Sequence, residues 1–424
     1  MRGLLMAAVL VCGMLTAICR EGLAQTPPTK PAAEWPQFLG PQRNGISPET
    51  GLLQTWPADG PKEVWRTAGG PGMSGLVISR GRVVTLVHRD GKQSVIALDA
   101  RTGKPQWETA VAPEYHNGMG NGPRATPAIA GEQVFVFTGE GILAALNLND
   151  GKPAWSKNVV KDLEGEIAEY GMASSPLVVG QHVIVTAGAP NAAVVAYDIK
   201  TGKLAWKTDD GAAGYSSPTL LNVGGRSQIV ASTGGAILGM SPDKGSLLWK
   251  YPFETNYNCN IATPLAVNGQ VFISAGENHG SVLLALKPQK DQFEAKEVWS
   301  SLGTKSVLRN EWQTSILHDG HLYGFDNVGA AGPVTHLTCI NAETGVRVWQ
   351  KLRFGKGNLM AADGKLFATT MNGELVMIRL NPTAYEELGR ATILGSTRQA
   401  PALANGLLYL RDDKEIVCLD VRQP

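Results

Sequence analysis

Eleven residues occupy one recurring place in this chain. Arg124, Tyr170, Tyr215, Asn258, Asn260, Arg309, Glu311, Trp312, Lys356, Asn358 and Arg398 each fall in the few residues before the first strand of a repeated unit. Such segments converge when the units are arranged around an axis. Guanidinium, ammonium, amide and aromatic groups brought together there would suit an anionic or ring-shaped ligand. Glu140 and Glu277, each closing a Gly-Glu pair at the end of a second strand, are the carboxylates placed to act beside it. The competing reading is that any channel ringed by loops is lined with polar groups and water. Other chemical motifs dissolve on alignment. His318-Asp319-Gly320-His321 overlies Val267-Asn268-Gly269-Gln270, so it is a hairpin turn rather than a metal pair. Gly118-Met119-Gly120-Asn121-Gly122 does not join a strand to a helix and is no phosphate loop. No serine nucleophile elbow is present. The sequence therefore assigns no catalytic residue and no metal ligand set.

The elements that must position these residues are repeats. Ala196-Tyr197-Asp198-Ile199-Lys200-Thr201-Gly202 leads to Trp206, and the phrase recurs from Ala97 to Trp107, Ala145 to Trp155, Gly239 to Trp249 and Cys339 to Trp349, with a stretched copy from Ala285 to Trp299. Trp65, Trp107, Trp155, Trp206, Trp249, Trp299 and Trp349 are separated by 42, 48, 51, 43, 50 and 50 residues. A further unit ends near Leu388 without a Trp. Each unit opens on a phrase such as Ala125-Thr126-Pro127 or Ser174-Ser175-Pro176. Four short strands per unit at this period predict a β-propeller. Asp99, Asp198 and Asn341 should bond their own turn backbone, and Gly103, Gly202 and Gly345 should supply its positive φ.

The two ends of the repeat region set the blade number. Glu415 to Asp420 reads as a third strand whose Trp-bearing fourth strand never follows, and Lys62 to Arg66 as a fourth strand with no third before it. Pairing them completes an eighth blade and removes an exposed sheet edge. The fold expected is all-β: an eight-bladed, monomeric propeller over 60–424, with seven blades the alternative. Residues 25–59 read as a tether followed by a coil that wraps the propeller, and 1–24 as an export signal, with Arg2, an apolar run from Leu4 to Ile18 and Gly22-Leu23-Ala24. Two charged insertions, Asn158 to Gly171 and Lys287 to Glu297, depart from the period. The first reads as a short exposed helix or ordered loop and the second as a stretched turn.

A net charge of +1 gives no electrostatic reason to expect nucleic acid or an anionic membrane as partner. The apolar run near the start is short for a membrane span, and Cys12 and Cys19 lack the small residue expected before a lipidated cysteine. Cys339 and Cys418 align with Ala97, Ala145 and Ala196, so they read as small buried residues, and no disulfide is expected among Cys259, Cys339 and Cys418.

The Ala-x-Asp-x-x-Thr-Gly-x-x-x-Trp phrase resembles the pyrroloquinoline-quinone (PQQ)-type propeller repeat, shared by quinoprotein alcohol dehydrogenases and by the B component of the bacterial outer-membrane barrel-assembly machinery. The resemblance runs from about Gly60 to the C-terminus and implies that each Trp docks between neighbouring blades. For the enzymes it implies PQQ, calcium and a carboxylate base. This chain has no pair of adjacent cysteines to cover the quinone and lacks the enzymes' large insertions. The expectation is a non-catalytic exported propeller, periplasmic or secreted, without a cofactor, binding a protein or a cell-envelope polymer. The alternative is a minimal PQQ- and calcium-dependent dehydrogenase of alcohols or sugars.

Overall fold

The computed structural model describes residues 33–330 and 332–424; the signal segment 1–24 and most of the tether lie outside them. Eight four-stranded antiparallel sheets form the blades of a propeller: blade 1 spans 77–113, blade 2 128–158, blade 3 177–208, blade 4 219–252, blade 5 265–302, blade 6 316–351 and blade 7 357–392. Blade 8 takes three strands from 402–420 and its outermost strand, Lys62–Ala68, from the other end of the chain. Trp65 lies opposite Cys418 in that junction. The closure inferred from the incomplete end repeats is the one observed.

Strands a to d run from the inside of each blade to its rim. Both faces of the inner strands are apolar because each blade packs on two neighbours. The core is accordingly a series of layers: Val84 and Leu86 meet Val134 and Val136 between blades 1 and 2, and Val183 and Val185 meet Phe135 and Phe137 between blades 2 and 3. The outer strands are bulged beside the Trp position, at Ala97/Leu98, Ala196/Tyr197 and Cys339/Ile340 among others, which interrupts an edge that would otherwise invite pairing.

The repeated phrase joins blades as well as making turns. Asp99, Asp198 and Asn341 each accept the backbone N–H three residues on, at 2.9, 2.8 and 2.9 Å. The turn glycine then lies against the Trp of the preceding blade: a Cβ on Gly202 (φ +63°) would stand 2.6 Å from the Trp155 ring. The indoles of Trp65, Trp107, Trp155, Trp299 and Trp349 donate to carbonyls of the next blade's turn, those of Ala100, Leu148, Ile199, Ala342 and Asn381, at 2.9–3.1 Å. In blade 5 the stretched copy of the phrase forms a long hairpin in place of the tight turn, and Trp249 donates instead to Gln228 of its own blade at 2.7 Å. Opposite six of the seven repeat Trp residues stands a small or slim residue, Cys418, Ala97, Ala145, Ala196, Gly239 or Cys339, and opposite Trp299 stands Leu283.

Blade 7 has no Trp. Gly389 occupies the slot, opposite Met377. Trp56, from the N-terminal coil, fills it: a Cβ on Gly389 would stand 2.6 Å from Trp56, and the Trp56 ring lies 5.9 Å from Phe367. The same pairing holds within regular blades, with Phe135–Trp155 at 6.1 Å and Tyr323–Trp349 at 6.0 Å. The repeat is thus completed from outside itself.

Of the two insertions, the first forms one helical turn, Val159–Asp162, whose Val159 and Val160 are buried, and then a loop. The second corrects the expectation of a stretched turn. It lengthens the hairpin itself, into strands Gly280–Gln289 and Gln292–Leu302, because alternating residues such as Phe293 and Ala295 pack on Leu286 and its neighbours. The thiols of Cys259, Cys339 and Cys418 are buried and unpaired.

Candidate functional site

Strand direction sorts the connections into two faces. The a–b and c–d turns, including the Asp-to-Gly turns, share one face, and the d–a loops and b–c turns share the other, here called the mouth. The N-terminal coil lies across the turn face. Trp35 bridges Ile78 of blade 1, Ile129 of blade 2 donates to Pro36, Ile46 bridges Ala361 of blade 7 and Leu52 bridges Arg422 beyond blade 8. Arg43, buried, reaches blade 3 and donates to the carbonyls of Ser175 and Pro176 at 3.0 and 2.9 Å. The channel is therefore closed at the turn face and becomes a blind cup of about 170 Å³ that opens at the mouth, with Phe38 of the coil among its lining residues.

The opening phrases of the blades build the wall. The backbone N–H of Gly75 donates to Thr126 Oγ1, that of Thr126 to Ser175 Oγ and that of Ser175 to Ser217 Oγ, at 2.9, 3.0 and 2.9 Å. Thr263 donates likewise to Thr314 at 3.0 Å. Each hydroxyl accepts from the equivalent residue of the blade before it, so the Ser/Thr-Pro phrase is an inter-blade belt as well as a strand opener.

Six of the eleven channel-side residues named from the sequence line the cup: Arg124, Tyr170, Tyr215, Trp312, Asn358 and Arg398. Tyr170 and Tyr215 pack at 5.6 Å with their planes 30° apart, and the Tyr215 hydroxyl accepts the Tyr170 backbone N–H at 3.2 Å. Burial pushes the Tyr215 phenol up to about 12, so it stays protonated. Lys356 Nζ lies over the Trp312 ring at 4.3 Å and Arg398 Cζ at 5.2 Å. Lys356 is also paired with the buried Glu311 at 2.8 Å; burial raises the Glu311 pKa, and Lys356 opposes the rise. Arg124 faces its own loop and the next one. It donates to the carbonyls of Tyr170 and Gly120 at 2.7 Å each, and to that of Gly122, while its guanidinium lies 4.6 Å from the centre of the Tyr115 ring. Burial lowers its pKa.

The other residues serve elsewhere. Arg309 forms a buried ion pair with Asp326, at 2.7 and 2.9 Å. Asn260 is buried and donates to the carbonyls of Thr233 and Phe253 at 2.8 Å. Asn258 is exposed and lines a groove beside the cup. Glu140 accepts from Gln93, and Glu277 holds a left-handed backbone, φ +51°; neither lines the cup. Sequence reasoning missed Phe38, Met73 and Met119, which do. Met119 sits in the glycine-rich run 118–122, which is the lip of the cup, held by the bonds from Arg124 and by Arg398 donating to the Met119 carbonyl. The density of glycine at the head of a repeat was the available signal. Among the described residues no group of three His, Cys, Asp or Glu is placed to hold a metal ion, and no helix is long and apolar enough to cross a membrane.

A model of the family described as outer membrane protein assembly factor BamB matches residues 46–170 and 92–351. Quinoprotein alcohol dehydrogenase PedH of Pseudomonas putida is 34% identical over 128 residues, covering 28% of this chain and 21% of PedH. Outer membrane protein assembly factor BamB of Burkholderia pseudomallei is 26% identical over 185 residues, covering 42% of this chain and 43% of that protein. The matches thus span under half the length of either relative. Among solved structures, the quinohemoprotein alcohol dehydrogenase of Comamonas testosteroni aligns with a TM-score of 0.65 at 13% identity, over 92% of this chain and 81% of that one.

Proposed function

The chain belongs to the family described as outer membrane protein assembly factor BamB, and from that premise we propose that it is a non-catalytic, exported propeller that holds a partner protein on its mouth face. The observation that carries this reading is the asymmetry of the ring. The coil closes the channel at the turn face, while the mouth keeps an open cup with large apolar side chains exposed around it, Met119 at 43%, Ile167 at 46% and Tyr257 at 62%. Exposed aromatic and Met side chains around a concave centre are the composition of a protein-binding surface.

The residues present do not fit PQQ and calcium. A tricarboxylate needs several free donors, and of the two guanidiniums that line the cup that of Arg124 already serves three carbonyls, which leaves Arg398 alone. A quinone needs an open aromatic floor, and the Trp312 ring carries Lys356 and Arg398. A calcium ion needs several oxygen ligands, and no carboxylate lines the cup. The enzyme alternative is therefore the weaker reading.

Photo-crosslinking tests the proposal. p-Benzoylphenylalanine placed at Tyr257 or Met119 in cells of the native host should trap one discrete protein partner, and placed at Lys200 on the turn face should trap none. Adducts from Lys200 alone, or with polysaccharide in place of protein, would overturn it. So would saturable quenching of Trp fluorescence by PQQ with Ca²⁺, accompanied by dye-linked oxidation of an alcohol or sugar.

A further inference from the structure

The mouth is divided electrically. On one side of the cup, a groove beside blades 3 and 4 is lined by Glu164, Glu166, Glu169 and Asp210, and by no lysine or arginine. All four carboxylates are exposed, and none has an ion-pair partner among the described residues. On the other side, a hollow beside blades 6 and 7 is lined by Arg353 and Lys356, and by no carboxylate. The cup between them contributes Arg398 to the same side. The three hollows are contiguous: Tyr215 lines both the acidic groove and the cup, and Trp312 lines both the cup and the basic hollow.

We propose that the mouth binds an extended peptide segment of the partner whose charges are separated along its length: basic residues in the groove of Glu164, Glu166 and Glu169, an apolar side chain in the cup, and acidic residues over Arg353 and Arg398. The inference rests on the mouth being the binding face, as proposed above, and adds the chemistry of what binds. Charge complementarity selects the occupant. Four like charges on one short stretch of surface repel one another, and a cationic segment relieves that repulsion while fixing register. An anionic membrane surface or a nucleic acid would be attracted by the basic half and repelled by the acidic half. A basic segment alone would leave Arg353 and Arg398 facing its own charges.

The apolar centre has its own support. Tyr257, 62% exposed on the mouth, stands at φ +58° beside Asn258 at φ +55°. Two consecutive non-glycine residues in the left-handed region cost energy that the fold must offset elsewhere, and here they lift an aromatic ring into solvent beside the acidic groove. Tyrosine in that position is a typical anchor of an interface.

The test uses the full mature chain and fluorescein-labelled synthetic dodecapeptides of identical composition. Two carry three Lys at one end, Leu and Phe residues in the middle and three Asp at the other, one in each chain direction; a third alternates Lys and Asp. Fluorescence anisotropy at low salt should show one block peptide binding about tenfold tighter or more than the alternating one, with the difference shrinking as salt rises. Glu164→Lys/Glu166→Lys/Glu169→Lys and, separately, Arg353→Glu should each remove that preference while the far-UV spectrum and melting temperature stay unchanged. Equal binding of block and alternating peptides, absence of binding by any of them, or indifference to both sets of charge reversals would overturn the inference. If the crosslinks at Tyr257 and Met119 still form, the scaffold reading stands and only the charge order falls; if they do not, the mouth itself is the wrong face.

Discussion

Trp56→Ala should destabilise a blade to which Trp56 does not belong. The side chain is 8% exposed and packs between Gly389 and Phe367. Burying an aromatic ring of roughly 150–250 Å² at about 25 cal/mol/Å² is worth on the order of 4–6 kcal/mol gross, and truncating a buried Trp typically costs about 3–5 kcal/mol. With an unfolding entropy of roughly 2 cal/mol/K per residue, that is a fall in Tm of roughly 4–6 °C for a domain of this size. The loss should also be local. Hydrogen exchange should accelerate at 387–392 and in the coil at 52–60, and stay unchanged in blades 3 to 5. Gly389→Trp supplies the decisive arm. In the parent it should overpack a filled slot and cost about 1–3 kcal/mol; in the Trp56→Ala background it should restore most of the lost stability, because the ring then comes from the strand, as in the other blades. If Gly389→Trp destabilises both backgrounds alike, the claim that Trp56 stands in for the missing repeat residue is refuted.

Three further outcomes can be checked. Gly239→Ala places a Cβ 1.9 Å from Trp249 Nε1 and should cost about 1–3 kcal/mol in denaturant unfolding, whereas Gly269→Ala, in open space but at φ +77°, should show only the strain of its turn. Arg309→Ala leaves the buried Asp326 with only Gln350 at 3.2 Å and Arg347 at 3.6 Å and should cost up to about 3–5 kcal/mol while leaving crosslinking from Tyr257 intact in the folded fraction. His116 beside the lip bonds Glu114 at 3.1 Å, and that bond raises its pKa above 6.5. The contribution of this pair is fully present below the ordinary histidine value and is lost as pH rises through the raised one. An NMR titration should show the elevation, and Glu114→Gln should remove most of it, the Asn121 hydrogen bond remaining; an unchanged titration in Glu114→Gln would remove the pair as its cause.

The fold was legible because it is written several times. Asp198, Gly202 and Trp206 have counterparts at fixed offsets, and the incomplete units at Lys62 and Asp420 leave one way to close the ring. The exceptions show what repetition cannot carry. Trp56 lies outside the repeat, so the missing ring of blade 7 looked like decay of the motif rather than substitution from another segment. Six of the eleven channel-side residues line the cup because the segment before each first strand is short and leads toward the axis. Their roles were not found by position. Whether Arg124 turns toward a ligand or toward the carbonyls of Gly120 and Gly122 depends on how the glycine run of the lip folds back, and Arg309 is claimed by Asp326, a b-strand residue 17 positions away. Charge at a channel is visible in a sequence; the partner that already satisfies it is not.

That distinction bears on how one ring can serve either catalysis or binding. An enzyme of this architecture would have to leave cationic donors unsatisfied around its cup and hold them ready for an anion, at a cost in stability that bound cofactor offsets. Here the deepest guanidiniums point inward: Arg43 to the carbonyls of Ser175 and Pro176, and Arg411 to those of Ser74 and Leu86 at 3.0 and 2.9 Å. The buried positive charge fastens the coil and the blades to one another. The charge that remains for a partner lies at the mouth, on Arg353, Arg398 and the carboxylates of 164–169, where water screens it and misfit is cheap. A ring whose interior cations serve its own backbone needs no bound anion to satisfy them, and selection of a partner is left to the order of charges on its rim.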